Sequence, residues 1–134
     1  MNNKEYLSKI DLYNFNEPEL LDKKEFKEVE KYFLSNEHVI DIVVGEINAF
    51  AHMVLLTDKR IFTISKFIQT GSQIKQYGLE QIDDVKLGVM GDIADLTIFL
   101  KNGVLFKLDY LHTEIAKRFG YNISKMYKDF LNWF

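Results

Sequence analysis

Between His38 and Asp109 this chain reads as a series of short strand-like segments, apolar at alternate positions or rich in β-branched residues and separated by turn signals, and this pattern most restricts what the chain can fold into. Parallel strands need long, usually helical, crossovers, and nothing in that span has helical spacing. The strands must therefore pair through hairpins, as an antiparallel sheet. His38–Ile47 and Ala51–Thr57 are rich in valine and isoleucine, which suit a pleated, half-buried surface. Asn48-Ala49 lies in the link between them. Thr57-Asp58-Lys59-Arg60 separates Met53–Leu56 from Ile61–Ile64 and reads as a tight hairpin, with Asp58 favouring the turn. Gly71-Ser72 marks the next reversal, before Gln73–Leu79. Val85, Leu87 and Val89 then alternate with polar residues or glycine, which predicts a strand with one face buried. Gly91-Asp92 turns the chain into the strand of Leu96, Ile98 and Leu100. Asn102-Gly103 predicts a type I′ hairpin turn, because that pair accepts two positive φ angles, and Val104, Phe106 and Leu108 continue beyond it.

Helical spacing appears only at the two ends. Phe26, Val29 and Phe33 form a stripe that predicts a helix over Lys23–Ser35, with Asp22 as its N-cap. Residues 1–16 are too apolar for a simple flexible tail. At the other end Ile115, Phe119, Ile123, Met126, Phe130 and Phe134 share one helical stripe, with Thr113 placed to cap its start. Gly120 inside this helix costs about 1 kcal/mol relative to alanine, which implies close packing there or a helix that begins later. Some seven short strands leave edges that invite aggregation unless the sheet curls. The expected fold is α+β: a bent antiparallel barrel or sandwich, capped by the C-terminal helix and preceded by a helical extension over residues 1–35. Residues 36–134 form the domain proper.

Three motifs in order resemble the bacterial pleckstrin-homology-like (PH-like) domain family. VLLTDKRIF at Val54–Phe62 is similar to its second-to-third-strand hairpin, GLEQIDDVKLG at Gly78–Gly88 to the turn leading into its fifth strand, and FLKNGVLFKL at Phe99–Leu108 to its sixth-to-seventh-strand element. The resemblance covers roughly residues 36–134. It implies a bent seven-strand sheet with a capping helix, and a binding or assembly module, some relatives forming ring-like homo-oligomers. Eukaryotic phosphoinositide-binding relatives place lysines and arginines around the loop joining the first two strands. Here that loop, Glu46–Phe50, has neither.

The whole-chain numbers exclude several function classes. The 134 residues fit one domain, and a net charge of −3 argues against a dedicated nucleic-acid binder. Without cysteine, disulfides, thiolate metal sites and thiol catalysis are excluded. The N-terminus lacks the apolar run of a secretory signal, and no stretch has the length of a membrane span, so a cytoplasmic location is expected. His38, His52 and His112 lack the close spacing of zinc ligands, although His38 and His52 can meet across the first two strands. Asp83, Asp84, Asp92 and Asp95 lack the alternating oxygen ligands of a calcium loop. No nucleophile elbow, phosphate loop or dinucleotide fingerprint is present, so neither a catalytic residue nor a cofactor is assigned, and an enzyme is the remotest reading.

What remains is a non-catalytic module that assembles with itself or binds a protein partner. Val39, Asp41 and Val43, on a strand expected to present an open edge, and the terminal Trp133 and Phe134 are its candidate interaction surface. The alternative is peripheral binding to anionic membrane lipid through Lys59 and Arg60, with Lys66 and Lys75 nearby and Phe62 or Phe67 as an apolar wedge.

Overall fold

The computed structural model describes residues 24–65 and 73–131. Helix α1 spans Lys24–Glu30, followed by strands β1 (Val39–Ile47), β2 (Phe50–Thr57), β3 (Arg60–Ser65) and β4 (Ile74–Gly78). A 3₁₀ turn over Leu79–Gln81 leads into β5 (Ile82–Met90), β6 (Ile93–Leu100) and β7 (Leu105–His112), and helix α2 (Thr113–Leu131) follows. All seven strands join one antiparallel sheet in the order β4-β3-β2-β1-β7-β6-β5, curled into a half-barrel with α2 packed against it.

Two apolar clusters explain the sequence pattern. Inside the half-barrel, α2 contributes Ile115, Phe119 and Ile123 to a core with Val54, Leu56 and Leu96, among others. Full burial of side chains this size contributes about 1.5–3 kcal/mol each. On the outer face of β1–β3, Phe26 and Val29 of α1 cover Ile42, Met53, Leu55, Phe62 and Ile64. Strands buried on both faces read as nearly continuous apolar runs, which is why Met53–Leu56 and Ile61–Ile64 lack clean alternation.

Close approach fixes two backbone positions, and a bulge sets a third. A Cβ on Gly120 would lie 2.9 Å from Leu96 Cδ2, so this glycine lets α2 pack tightly on β6, the first of the two readings its sequence position allowed. A Cβ on Gly45 would lie 2.9 Å from Leu111 Cδ2 and 3.0 Å from the Asp109 carbonyl oxygen, where β1 meets β7. Between Ala94 and Leu96 the β6–β7 register slips, with Asp109 and Tyr110 opposite Asp95 alone. Tyr110 takes φ +60 at this bulge, next to Asp109, which pairs with Glu46 of β1.

Several local expectations need correction. The type I′ geometry expected at Asn102-Gly103 falls instead at Asn48-Ala49, where φ is 53 and 70 between the paired residues Ile47 and Phe50. At the other hairpin only Gly103 has positive φ. Leu100 N–H donates to the Val104 carbonyl, which closes a three-residue loop over Lys101–Gly103. The Lys101 amide is drawn to the Gln81 carbonyl, a tertiary bond the local signal does not include. Helix α1 stops at Glu30 rather than Ser35, because Arg60 takes the Tyr32 carbonyl and Glu37 the Leu34 amide. Phe33, expected on the helix, lies beyond it and packs on Phe26 and Phe62. Thr113 is the first residue of α2; its hydroxyl donates to the Gly91 carbonyl, while His112 Nδ1 accepts the Glu114 amide. On β5, Leu87 and Val89 are exposed instead of buried. Asp22 and residues 1–16 lie outside the described residues, as does the Gly71-Ser72 reversal.

Candidate functional site: the open end of the half-barrel

Register decides which side chains line the barrel interior. Val43↔Val54↔Thr63↔Lys75 is one row across four strands, and Leu56↔Ile61↔Tyr77 is another on the same face. Along that face β2 reads Leu56, Val54, His52, β3 reads Ile61, Thr63, Ser65, and β4 reads Tyr77, Lys75, with Gln73 just before it accepting the Ser65 amide at its carbonyl. Each begins apolar or aromatic and turns polar towards one end. The polar ends coincide in space. They line a cleft of about 350 Å³ with Ile47, Asn48 and Phe50 of the β1–β2 hairpin and Val104, Leu105 and Phe106 at the β6–β7 hairpin. No residue of α2 lines it.

The cleft combines fixed walls with hydrogen-bonding groups. Tyr77 stacks on Phe106, ring centroids 5.1 Å apart, and burial pushes the Tyr77 phenol up from its ordinary pKa. His52 is held by its Nδ1–H, which donates to the Phe50 carbonyl at 2.8 Å. Thr63 is only 4% exposed, and its hydroxyl has no hydrogen-bond partner among the described residues. An unsatisfied hydroxyl in such a place costs roughly 1–3 kcal/mol. Lys75, paired with Thr63 across β3 and β4, supplies a positive charge at the exposed rim. The arrangement suits a compact group rich in hydrogen-bond acceptors. Among the described residues no three His, Cys, Asp or Glu side chains gather to hold a metal ion.

Of the four cations proposed for lipid contact in the sequence, Lys75 lines this cleft. Lys59 is exposed on the β2–β3 turn. Arg60 is not the free cation that lipid binding through this turn requires. Its Nε and Nη2 donate to the two Glu37 oxygens at 3.0 and 2.8 Å, Nη2 also to the Tyr32 carbonyl and Nη1 to Gln76, while the guanidinium lies 4.6 Å from the centre of the Phe62 ring. Phe62 is buried in the outer cluster and offers no apolar wedge. Lys66 and Phe67 lie outside the described residues, as do Trp133 and Phe134.

The open edge expected of β1 is also absent: β1 lies between β2 and β7, and Val39, Asp41 and Val43 are all buried. Asp41 serves the fold. Its carboxylate accepts Arg118 Nε at 3.0 Å, Arg118 Nη2 at 2.9 Å, Asn122 Nδ2 at 2.9 Å and the Ile42 amide at 2.8 Å. This ties α2 to β1. Burial pushes the Asp41 carboxyl up from its ordinary pKa, opposed by Arg118 and Asn122.

Thr63, Ser65 and Gln73 escaped sequence reasoning, and His52 enters it only as a ligand partner of His38, which lies at the other end of the β1–β2 ladder, beside Asp58. Their signal was a run of polar residues at alternate positions of successive strands, and it becomes readable only when the interior face and the register are known.

The architecture and the sequence now converge. Residues 34–124 match the model of the bacterial PH domain family. The chain belongs to the bacterial PH domain family. No curated protein matches the chain in sequence. This PH domain's hairpins enclose the cleft at one end of the half-barrel while α2 packs elsewhere against the sheet. No helix among its described residues is long and apolar enough to cross a membrane.

Proposed function

We propose that this PH domain is a non-catalytic, cytoplasmic binding module that takes a compact, acceptor-rich group of its ligand into the open end of the half-barrel. The observation that carries the reading is the buried Thr63 hydroxyl, unpartnered among the described residues and lining the cleft that Lys75 also lines. A ligand acceptor there would remove an unsatisfied polar group, and Lys75 would favour one bearing negative charge. Ile47, Phe50 and Leu105 give the rest of the ligand apolar surface to lie on.

The reading is tested by titrating the ¹⁵N-labelled protein with small carboxylates, phosphates and sulfonates while recording amide chemical shifts. Shifts are expected to concentrate at His52, Thr63, Ser65 and Lys75, and to weaken several-fold in Thr63→Val and Lys75→Ala. A set of acceptor fragments that moves none of these amides, or moves them equally in both variants, overturns it.

A further inference from the structure

The two strands that end the sheet among the described residues, β4 and β5, differ in a way the binding function does not explain. β4 is short and carries Lys75 and Gln76, the kind of polar residues that discourage strand addition. β5 runs from Ile82 to Met90 without proline, and its later half is apolar and uncovered: Leu87 is 43%, Val89 52% and Met90 84% exposed. Beside it, Tyr121 of α2 is exposed and shares a groove with Val85 and Leu87.

The hydrogen-bonding parity of β5 follows from its hairpin. Met90 and Ile93 flank the two-residue turn Gly91-Asp92, and the pair flanking such a turn exchanges backbone hydrogen bonds. Met90, Gly88 and Lys86 therefore direct their backbone groups at β6. Val85, Leu87 and Val89 direct theirs to the free edge, and their side chains lie on the face that carries α2.

We infer that β5 pairs antiparallel with β5 of a second copy of this chain, about a two-fold axis through Leu87. That axis sets Leu87 against Leu87 and Val85 against Val89 twice, all at positions whose backbone groups are free to bond. On the opposite face it sets Lys86 of one copy against Gly88 of the other. The Asp95 carboxylate leans over Gly88, so close that a Cβ there would be 2.9 Å from its Oδ1. Lys86, now above the Phe99 ring, swings across this gap to meet it. Neighbouring registers fit worse. An axis through Lys86 opposes two lysines, and one through Gly88 removes Val85 from the apolar row. An axis through Val85 runs into the break in the ladder between Ile82 and Asp84. One patch thus complements itself, as a two-fold interface requires.

The test is sedimentation of the full chain from micromolar to near-millimolar concentration. The expected result is a reversible rise from 15.8 kDa towards twice that mass. Leu87→Lys, which sets two charges on the axis, should shift the midpoint to at least tenfold higher concentration, while Leu34→Asp, on the segment between α1 and β1, leaves it unchanged. Lys86→Glu should weaken the dimer and Lys86→Glu with Asp95→Lys restore it. The chain has no cysteine, so Leu87→Cys introduces a single thiol that mild oxidation should cross-link to its twin. Circular dichroism confirms that each variant is folded. A folded chain that stays monomeric throughout, or a dimer indifferent to Leu87→Lys and not cross-linked through position 87, overturns the inference.

Discussion

Replacing Glu37 with alanine tests most directly how this fold holds its N-terminal segment. The Glu37 side chain is fully buried and accepts four hydrogen bonds: from Arg60 Nε at 3.0 Å, Arg60 Nη2 at 2.8 Å, the Thr57 hydroxyl at 2.7 Å and the Leu34 amide at 3.1 Å. Removing one partner of a buried ion pair costs about 3–5 kcal/mol, mainly because the other charge is left uncompensated. Arg60 keeps 17% of its side chain in solvent and retains the Tyr32 carbonyl and Gln76, so the lower end, about 3 kcal/mol, applies. Against a total stability of about 5–15 kcal/mol that is a large fraction. With a urea slope of about 2 kcal/mol per molar, the unfolding midpoint at pH 7 should fall by about 1.5 M. A double-mutant cycle with Arg60→Met separates the pair from the hydroxyl and amide contacts, and its coupling energy should exceed about 1.5 kcal/mol. A loss below about 1 kcal/mol, or strict additivity with Arg60→Met, would refute the view that this pair clamps the segment before β1 onto β3.

The same carboxylate gives the stability an acid limb. Burial alone would raise the Glu37 pKa, but hydrogen bonds from Arg60, Thr57 and Leu34 together hold it below the ordinary 4.5. The unfolded chain then binds more protons than the native one between the folded pKa and about 4.5, so this contribution is complete above that range and is lost as pH falls through the folded value. Unfolding curves between pH 3 and 7 should show a shallower acid slope in Glu37→Gln than in the parent. Ala49 occupies a left-handed position at φ 70, which costs an alanine roughly 1–2 kcal/mol. After the greater unfolded-state entropy of glycine is subtracted, Ala49→Gly should stabilise by about 0.5–1 kcal/mol, read as a higher melting temperature. Gly45→Ala should destabilise by about 1–3 kcal/mol, because its Cβ would meet the Asp109 backbone and two buried leucines; a wild-type midpoint would show that β1 and β7 can separate at no cost.

The strand grammar was legible because it depends on neighbours in sequence. The period-two rows, the Thr57–Arg60 turn and the stripe through Ile115, Phe119 and Ile123 each report one face of one element, and each element forms where it was expected. Turn geometry was less legible. Asn102-Gly103 carries the better local signal, yet the left-handed pair formed at Asn48-Ala49, where the pairing of Ile47 with Phe50 leaves only two residues to reverse the chain.

The charged residues were least legible. Asp41 and Arg60 look like surface residues in sequence, and each becomes one half of a largely buried ion pair once a partner 77 or 23 residues away arrives. The candidate site belongs to the same class. His52, Thr63, Ser65 and Lys75 sit on three strands, and only curling and register bring their polar ends to one cleft.

Sequence alone therefore determined the antiparallel hairpins and the C-terminal capping helix, because side-chain periodicity and turn propensities act over a few residues. Tertiary structure decided which strand lies at the edge, which charges are buried and where a ligand group can enter, because those depend on strand order and on contacts between residues far apart in the chain.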